Sequence, residues 1–334
     1  MLGLLYSCFC KDFFLLIEFY PQVSYNREME KKTLKAAFRS LRVNQWIKNL
    51  AVFAPILFTG NLLDPELFSR TVLVFFVFCL LSSSSYLLND IVDAPLDRKH
   101  PVKKNRPVAK GDLAISSAVF LSLFLTFSGL GLAISLGLGV FIMGGVFYLL
   151  HVLYSFLLKK MVLWDILGIA ASFSIRAFAG EVATGYHLSI WLSFTVIFLS
   201  LFVAAGKRRS ELVAEGDKTR PVLDKYEKSL LNFYVSIFSV STLISYAMFT
   251  YFAPVDDYGS RLVERLGPSW SSLMGRKWLM LTLIPVLMGF MRYGYLIFSS
   301  REGERPEKAL TGDYTLLGTV LVWGLMLIAI IYLF

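Results

Sequence analysis

Apolar residues in this chain come in long uninterrupted runs, separated by short loops that hold nearly all the charge. Nine runs reach membrane length, near 47–63, 68–89, 113–135, 138–158, 162–183, 189–206, 230–253, 277–298 and 315–333. A backbone inside lipid must satisfy its own hydrogen bonds, so each run predicts a helix. The first run is short and contains Pro55, which predicts a tilt or a kink. Before it, residues 31–46 place Leu34, Phe38, Leu41 and Gln45 on one helical face. Lys31, Lys32, Lys35, Arg39 and Arg42 lie on the other, the pattern of an amphipathic helix on a membrane surface, with Trp46 suited to the interface. Residues 1–30 stand apart as an N-terminal extension. Leu2–Leu5 and Phe13–Phe19 are too short to span, Lys11, Asp12 and Glu18 interrupt them, and no small-residue cleavage site follows. The expected fold is all-α: residues 31–334 form one polytopic membrane domain of about nine helices. They surround a central cavity open to the cytoplasm and, sideways, to lipid.

Composition agrees. Of 334 residues, 56% are hydrophobic and 17% charged, against roughly 25% charged in soluble domains, which excludes a soluble globule. The net charge of +9 would suggest nucleic acid in a soluble protein. Here it points to basic cytoplasmic loops and to anionic lipid or phosphate partners, with no nucleic acid. Lysine and arginine crowd the segments before the first run, 90–112, 159–160, 207–228 and 292–308, whereas the opposite side has Arg70, Arg261, Arg265, Arg276 and Lys277. By the positive-inside rule the N-terminus and the polar loops face the cytoplasm. Cys8, Cys10 and Cys79 show no metal spacing with histidine, so neither zinc nor a disulfide framework is expected.

The stretch that changes the picture follows the second run: Asn89-Asp90-Ile-Val-Asp93-Ala-Pro95-Leu-Asp97, then Arg98-Lys99-His100-Pro-Val-Lys103-Lys104-Asn105-Arg106-Pro107. Three carboxylates at spacings of three and four repel one another unless a cation sits among them. Oxygen-only ligands favour a hard ion such as Mg²⁺, usually shared with a phosphorylated substrate. Arg106 suits bidentate phosphate binding, and Lys103 and Lys104 act as point charges. A continuous helix would place all three acids within about 60° of one face. Pro95 argues instead that the helix ends near Val92 and a turn brings Asp97 back. The plain alternative is a solvated loop of mixed charge.

Other constellations share the same expected membrane face. Tyr154 and Lys159 precede Asp165, a carboxylate one turn into an apolar helix and costly there without a cation or metal. Arg176 is embedded in that helix about 16 Å further on, too far to pair with Asp165; it either holds a phosphate or neutralises a neighbouring helix. Lys207, Arg208 and Glu211 share a helix face, either as a salt-bridged end or as phosphate ligands oriented by Glu211. Arg292-Tyr293-Gly-Tyr295 with Pro306-Glu307-Lys308-Ala-Leu-Thr-Gly-Asp313 reads as loop. His151 reads as a packed residue, and Ser82–Ser85 as a helix-packing surface.

Asn89-Asp90-x-x-Asp93-x-x-x-Asp97 in such a chain resembles the UbiA superfamily of intramembrane prenyltransferases. Arg42-x-x-Gln45-Trp46-x-Lys48-Asn49, Asn105-Arg106-Pro107, Tyr154-Ser155-x-x-x-Lys159, Gly206-Lys207-Arg208-x-x-Glu211 and Pro306-Glu307 are similar to its phosphoribosyl-transferring branch, over roughly residues 35–330. The resemblance implies Mg²⁺ on Asp90, Asp93 and Asp97, with Asn89 beside them. It implies transfer of 5-phosphoribose from phosphoribosyl diphosphate to a polyprenyl (decaprenyl-like) phosphate for cell-envelope polysaccharide synthesis. It also implies a catalytic setting that includes Lys159 and Asp165. Lys48, Asn49, Lys103, Lys104, Arg106, Tyr154, Lys159, Lys207, Arg208 and Glu211 become candidates for substrate binding. Aromatic prenyltransferases of the superfamily carry a second Asp-rich motif, where this chain offers only Asp165. The rivals are such a prenyltransferase, using a prenyl diphosphate, and a transporter. Oligomeric state is left open, a homo-oligomer included.

Overall fold

The computed structural model describes residues 27–100, 102–215, 226–253, 277–299 and 312–333. Most of the N-terminal extension with Cys8 and Cys10, the Pro306-Glu307-Lys308 stretch and Arg261, Arg265 and Arg276 lie outside the described residues. All regular structure among the described residues is helical: an amphipathic α1 (Arg27–Ser40), then α2 (Pro65–Asp97), α3 (Ile115–Leu136), α4 (Leu138–Phe156), α5 (Trp164–Thr184), α6 (Ile190–Glu215), α7 (Lys228–Phe252), α8 (Leu283–Ser299) and α9 (Tyr314–Ile328). Eight helices among the described residues, α2 to α9 with their flanking turns, are long and apolar enough to cross a membrane. The protein is a multi-pass membrane protein.

Sequence punctuation sets the ends. Asp64 caps α2 by accepting from the Glu66 and Leu67 amides, and Pro65 follows at the first helical position, where its missing N–H costs nothing. Gly137, at φ 124°, makes the tight reversal between α3 and α4, and Arg70 caps the preceding Leu136 carbonyl at 2.8 Å. Asp313 caps α9 through the Leu316 amide.

Arg292-Tyr293-Gly-Tyr295 is not loop but lies within α8, and two further expectations need correction. The first apolar run is not one α-helix: Val43–Phe53 is a 3-10 helix leading into a short α-helix, Ala54–Phe58, with Pro55 in its first turn. Proline lacks the N–H that would continue the preceding ladder, so the chain restarts there. The count of nine long helices is therefore not met among the described residues. Secondly, α2 does not stop near Val92. It runs through Pro95 to Asp97: Pro95 removes a single backbone bond, to the Ile91 carbonyl, while its fixed φ of about −65° remains helical.

Packing brings the 3-10 helix against α2 and α5. Gly180 of α5 admits it: a Cβ there would collide with the Val52 carbonyl. Ser84 hydrogen-bonds Ser122 and Thr126 across the buried α2–α3 contact, the helix-packing use expected for that serine run. Phe120, Phe124 and Phe127 of α3 remain exposed, an outward apolar face suited to lipid, as are Leu34 and Phe38 of α1.

Candidate functional site

Because α2 continues to Asp97, its three acids share one face, and each meets cations. Asp90, only 2% exposed, accepts from Arg42 at 2.5 Å and from Arg106 at 3.2 Å. Asp97 accepts from the same Arg106 nitrogen at 2.6 Å. Asp93 accepts from Lys159 at 2.5 Å and from the Asn89 amide at 3.0 Å, and Lys159 also reaches the Asn89 carbonyl oxygen at 3.3 Å. Local backbone explains the two arginines. Arg42 sits at the break between α1 and the 3-10 helix with φ 52°, a left-handed conformation that β-substituted residues rarely adopt. Arg106 precedes Pro107, which holds it extended (φ −66°, ψ 141°) at the start of the turn Pro107–Lys110; its guanidinium lies against the acids of α2. Lys103 and Lys104 lie on a 3-10 turn, with Lys104 exposed.

A second cluster lies around Arg208, which has no solvent exposure. Its Nε sits 2.6 Å from Asp165, in contact though not aligned as a linear hydrogen bond. Its Nη1 pairs with Glu211, and its Nη2 donates to the Tyr154 hydroxyl at 2.5 Å. Tyr226 completes the cluster. Its hydroxyl donates to Asp165 at 2.6 Å and accepts from the Leu163 amide at 2.7 Å, holding a residue at φ 69° just before α5. Burial, then the bond to Asp165, pushes the Tyr226 phenol above its usual range, so it stays a neutral donor. Gly168 lets the Tyr154 ring lie against α5. Arg208 is thus engaged by two carboxylates, and Lys207 beside it is half-buried.

A third cluster surrounds Arg176, which donates to Asn49 at 2.6 Å and to the Ser172 carbonyl, and reaches Ser82 at 3.4 Å. Asn49 is fully buried and also donates to Cys79. Lys48 donates to Gln45 at 3.1 Å.

The structure therefore brings together Asn89, Asp90, Asp93, Asp97, Arg106 and Lys159, and separately Tyr154, Asp165, Arg208 and Glu211. Arg42 and Tyr226 carry contacts that sequence reasoning did not assign. Arg42 stood in the quoted motif but reads there as a surface charge, and Tyr226 lies 61 residues from Asp165 with no periodic signal.

The acid face suits a hard cation. Its donors are carboxylate oxygens, and one positively charged nitrogen of Arg106 already stands between Asp90 and Asp97 as a cation would. Among the described residues no three acidic, histidine or cysteine side chains are drawn close enough to ligate one ion. The protein's own cations occupy the carboxylates instead.

Residues 50–317 match the UbiA prenyltransferase family. A decaprenyl-phosphate phosphoribosyltransferase of Mycolicibacterium smegmatis is 32% identical over 300 residues, 88% of this chain and 91% of that protein. The enzyme of the same name from Corynebacterium glutamicum is 29% identical over 316 residues, 92% of this chain and 90% of its own length. In fold the chain is similar to a UbiA homolog from Archaeoglobus fulgidus bound to DMAPP and Mg²⁺, with a TM-score of 0.64 at 17% identity over 88% of this chain and 99% of that one. Eight long apolar helices among the described residues, an Asp90–Asp93–Asp97 face ringed by cations and a family match over most of the length lead to one conclusion: the chain belongs to the UbiA prenyltransferase family, a membrane-embedded family of transferases.

Proposed function

We propose that the protein transfers 5-phosphoribose from phosphoribosyl diphosphate to a polyprenyl phosphate, releasing diphosphate, on the cytoplasmic side of the cell membrane. The observation that carries this reading is the acid face of α2 with Arg106 lodged between two of its carboxylates. The relatives named for this reaction, similar over about nine-tenths of their length, support the choice of substrates. Asp90, Asp93 and Asp97 are the residues to hold Mg²⁺, which when bound neutralises charge on the departing diphosphate. Arg42, Arg106 and Lys159, released from the acids, bind phosphate oxygens by charge-assisted hydrogen bonds. Asn89, Lys103 and Lys104 border that site. Asp165, Glu211 and Tyr154 orient Arg208 with Lys207 beside it. The acceptor phosphate is already anionic, so the reaction needs no general base. An in-line attack on an α-configured donor gives a β-linked product.

The test is transfer of label from phosphoribosyl diphosphate to lipid in membranes containing the protein and a polyprenyl phosphate. Label transfer should require Mg²⁺, and Asp93→Asn should reduce it on the order of a hundredfold. Undiminished transfer by that variant would sink the metal assignment. Consumption of a labelled prenyl diphosphate instead would overturn the substrate assignment.

A further inference from the structure

The Tyr226 hydroxyl ties the entry of α7 to the entry of α5. It accepts from the Leu163 amide at 2.7 Å and donates to Asp165 at 2.6 Å. A backbone N–H only donates and a carboxylate only accepts, so the direction of both bonds is forced. Tyr226 is buried and belongs to one apolar cluster with Ile166, Phe202 and Leu231, which fixes where the hydroxyl stands. Phenylalanine in its place keeps that packing and loses both bonds.

What the bond holds is a backbone under strain. Leu163 has φ 69° and ψ −44°, close to a γ-turn form that residues with a Cβ adopt only at a cost. Its side chain is exposed, so packing supplies little of the restraint. Leu163 closes the loop from α4 to α5, residues 157–163. The loop opens where the Leu157 amide bonds back to the Leu153 carbonyl at 2.8 Å, and further on the Met161 carbonyl accepts from the Asp165 amide at 3.2 Å. Between them Leu158–Lys160 forms a 3-10 turn, from which Lys159 donates to Asp93 at 2.5 Å and to Asn89 at 3.3 Å. The loop that Tyr226 anchors therefore delivers a cation to the acid face of α2.

We propose that Tyr226 is a positioning residue for Lys159. By holding the Leu163 amide and Asp165 together, its hydroxyl fixes the far end of the loop and keeps the Lys159 ammonium at Asp93, coupling the Arg208 cluster to the metal–diphosphate face. Without that hydroxyl the strained backbone relaxes and the loop shifts, while the acids stay in place on α2. The consequence for diphosphate binding rests on the transferase reading above; the consequence for Lys159 itself does not.

Two measurements on the purified full-length protein in detergent test this. The first is brief acetylation with acetic anhydride, read by mass spectrometry as the rate at Lys159 relative to that at exposed Lys110. Tyr226→Phe should raise this ratio on the order of fivefold, the scale of one hydrogen bond. A general loosening raises both rates alike, and an unchanged ratio overturns the proposal. The second is calorimetric affinity for inorganic diphosphate with Mg²⁺. Tyr226→Phe should weaken it by a similar factor, yet add nothing in a Lys159→Gln background, because both changes then remove one interaction. Losses that multiply would show that Tyr226 acts without Lys159 and would also overturn the proposal. If the wild type does not bind Mg²⁺–diphosphate, the transferase reading falls and the acetylation ratio alone decides the role of Tyr226. Should Tyr226→Phe fail to fold, Leu163→Gly decides. It keeps the bond but lets the backbone pivot about it, so the Lys159 ratio should rise there too, and an unchanged ratio sinks the idea.

Discussion

At the scale of single residues, the two acidic clusters differ in what their cations can do. Lys159 and Asp93 keep 14% and 20% of their side-chain surfaces exposed, so an incoming phosphate or metal can compete for either partner. Asp165 and Arg208 are wholly buried. Asp165→Asn leaves Arg208 with Glu211 alone and weakens a buried charge-assisted network, so it should lower stability by about 2–3 kcal/mol, read as a lower melting temperature in detergent. Tyr226→Phe removes both the donor to Asp165 and the acceptor for the Leu163 amide. Its cost should be smaller, about 1–2 kcal/mol, and should not add to that of Asp165→Asn, because the two share one network. Neither partner of Asp165 could be chosen from spacing. A carboxylate one turn into an apolar helix demands a cation, yet several arginines were available. Only the packing of α5 against α6 selects Arg208.

At the scale of elements, the site depends on how closely the 3-10 helix carrying Lys48 and Asn49 approaches α5. Gly180→Ala places a methyl group against the Val52 carbonyl and should push the two apart. The expected outcome is a loss of stability of about 2 kcal/mol together with reduced transfer. Gly145→Ala is the control: nothing stands within 4 Å of its Cβ, and it should be neutral or stabilising by a few tenths of a kcal/mol. The start of α9 offers a pH test outside the membrane. Hydrogen bonds from Arg292, then the Leu316 amide, hold the Asp313 carboxyl below the usual range. Its folded pKa is depressed, so its contribution to stability is full above the unfolded value of about 3.9. That contribution disappears as pH falls through the folded value. Melting curves of wild type and Asp313→Asn should therefore differ at pH 7 and converge in strong acid. The end of α2 is the element that sequence alone misjudged. Pro95 forbids one backbone bond, but its fixed φ remains helical, and helical geometry continues far enough to align all three acids.

At the scale of the whole molecule, an orientation with the acid face toward the cytoplasm makes a labelling prediction. In a background without Cys8 and Cys10, Lys110→Cys should react with a membrane-impermeant thiol reagent only after the cytoplasmic side is opened. Ser135→Cys, exposed near the other end of α3, should react in intact cells. The reverse pattern would place the acids outside and remove the proposed access of a soluble donor. The sequence by itself determined the all-helical membrane class, most helix positions, the acid-rich stretch and its likeness to one family. Those properties follow from local quantities: run length against bilayer thickness, capping residues, and spacing along one helix. The tertiary structure decided which cation meets which acid, that the first apolar run is a 3-10 helix seated on Gly180, and that Arg176 lies among neutral partners beside Lys48. Most of these are contacts between residues tens to more than a hundred positions apart, set by the packing of helices whose apolar faces look alike in one dimension. Charge makes the difference between the two levels matter. In a low-dielectric interior the energy of an arginine depends on what stands within a few ångströms of it, and that distance exists only in the folded chain.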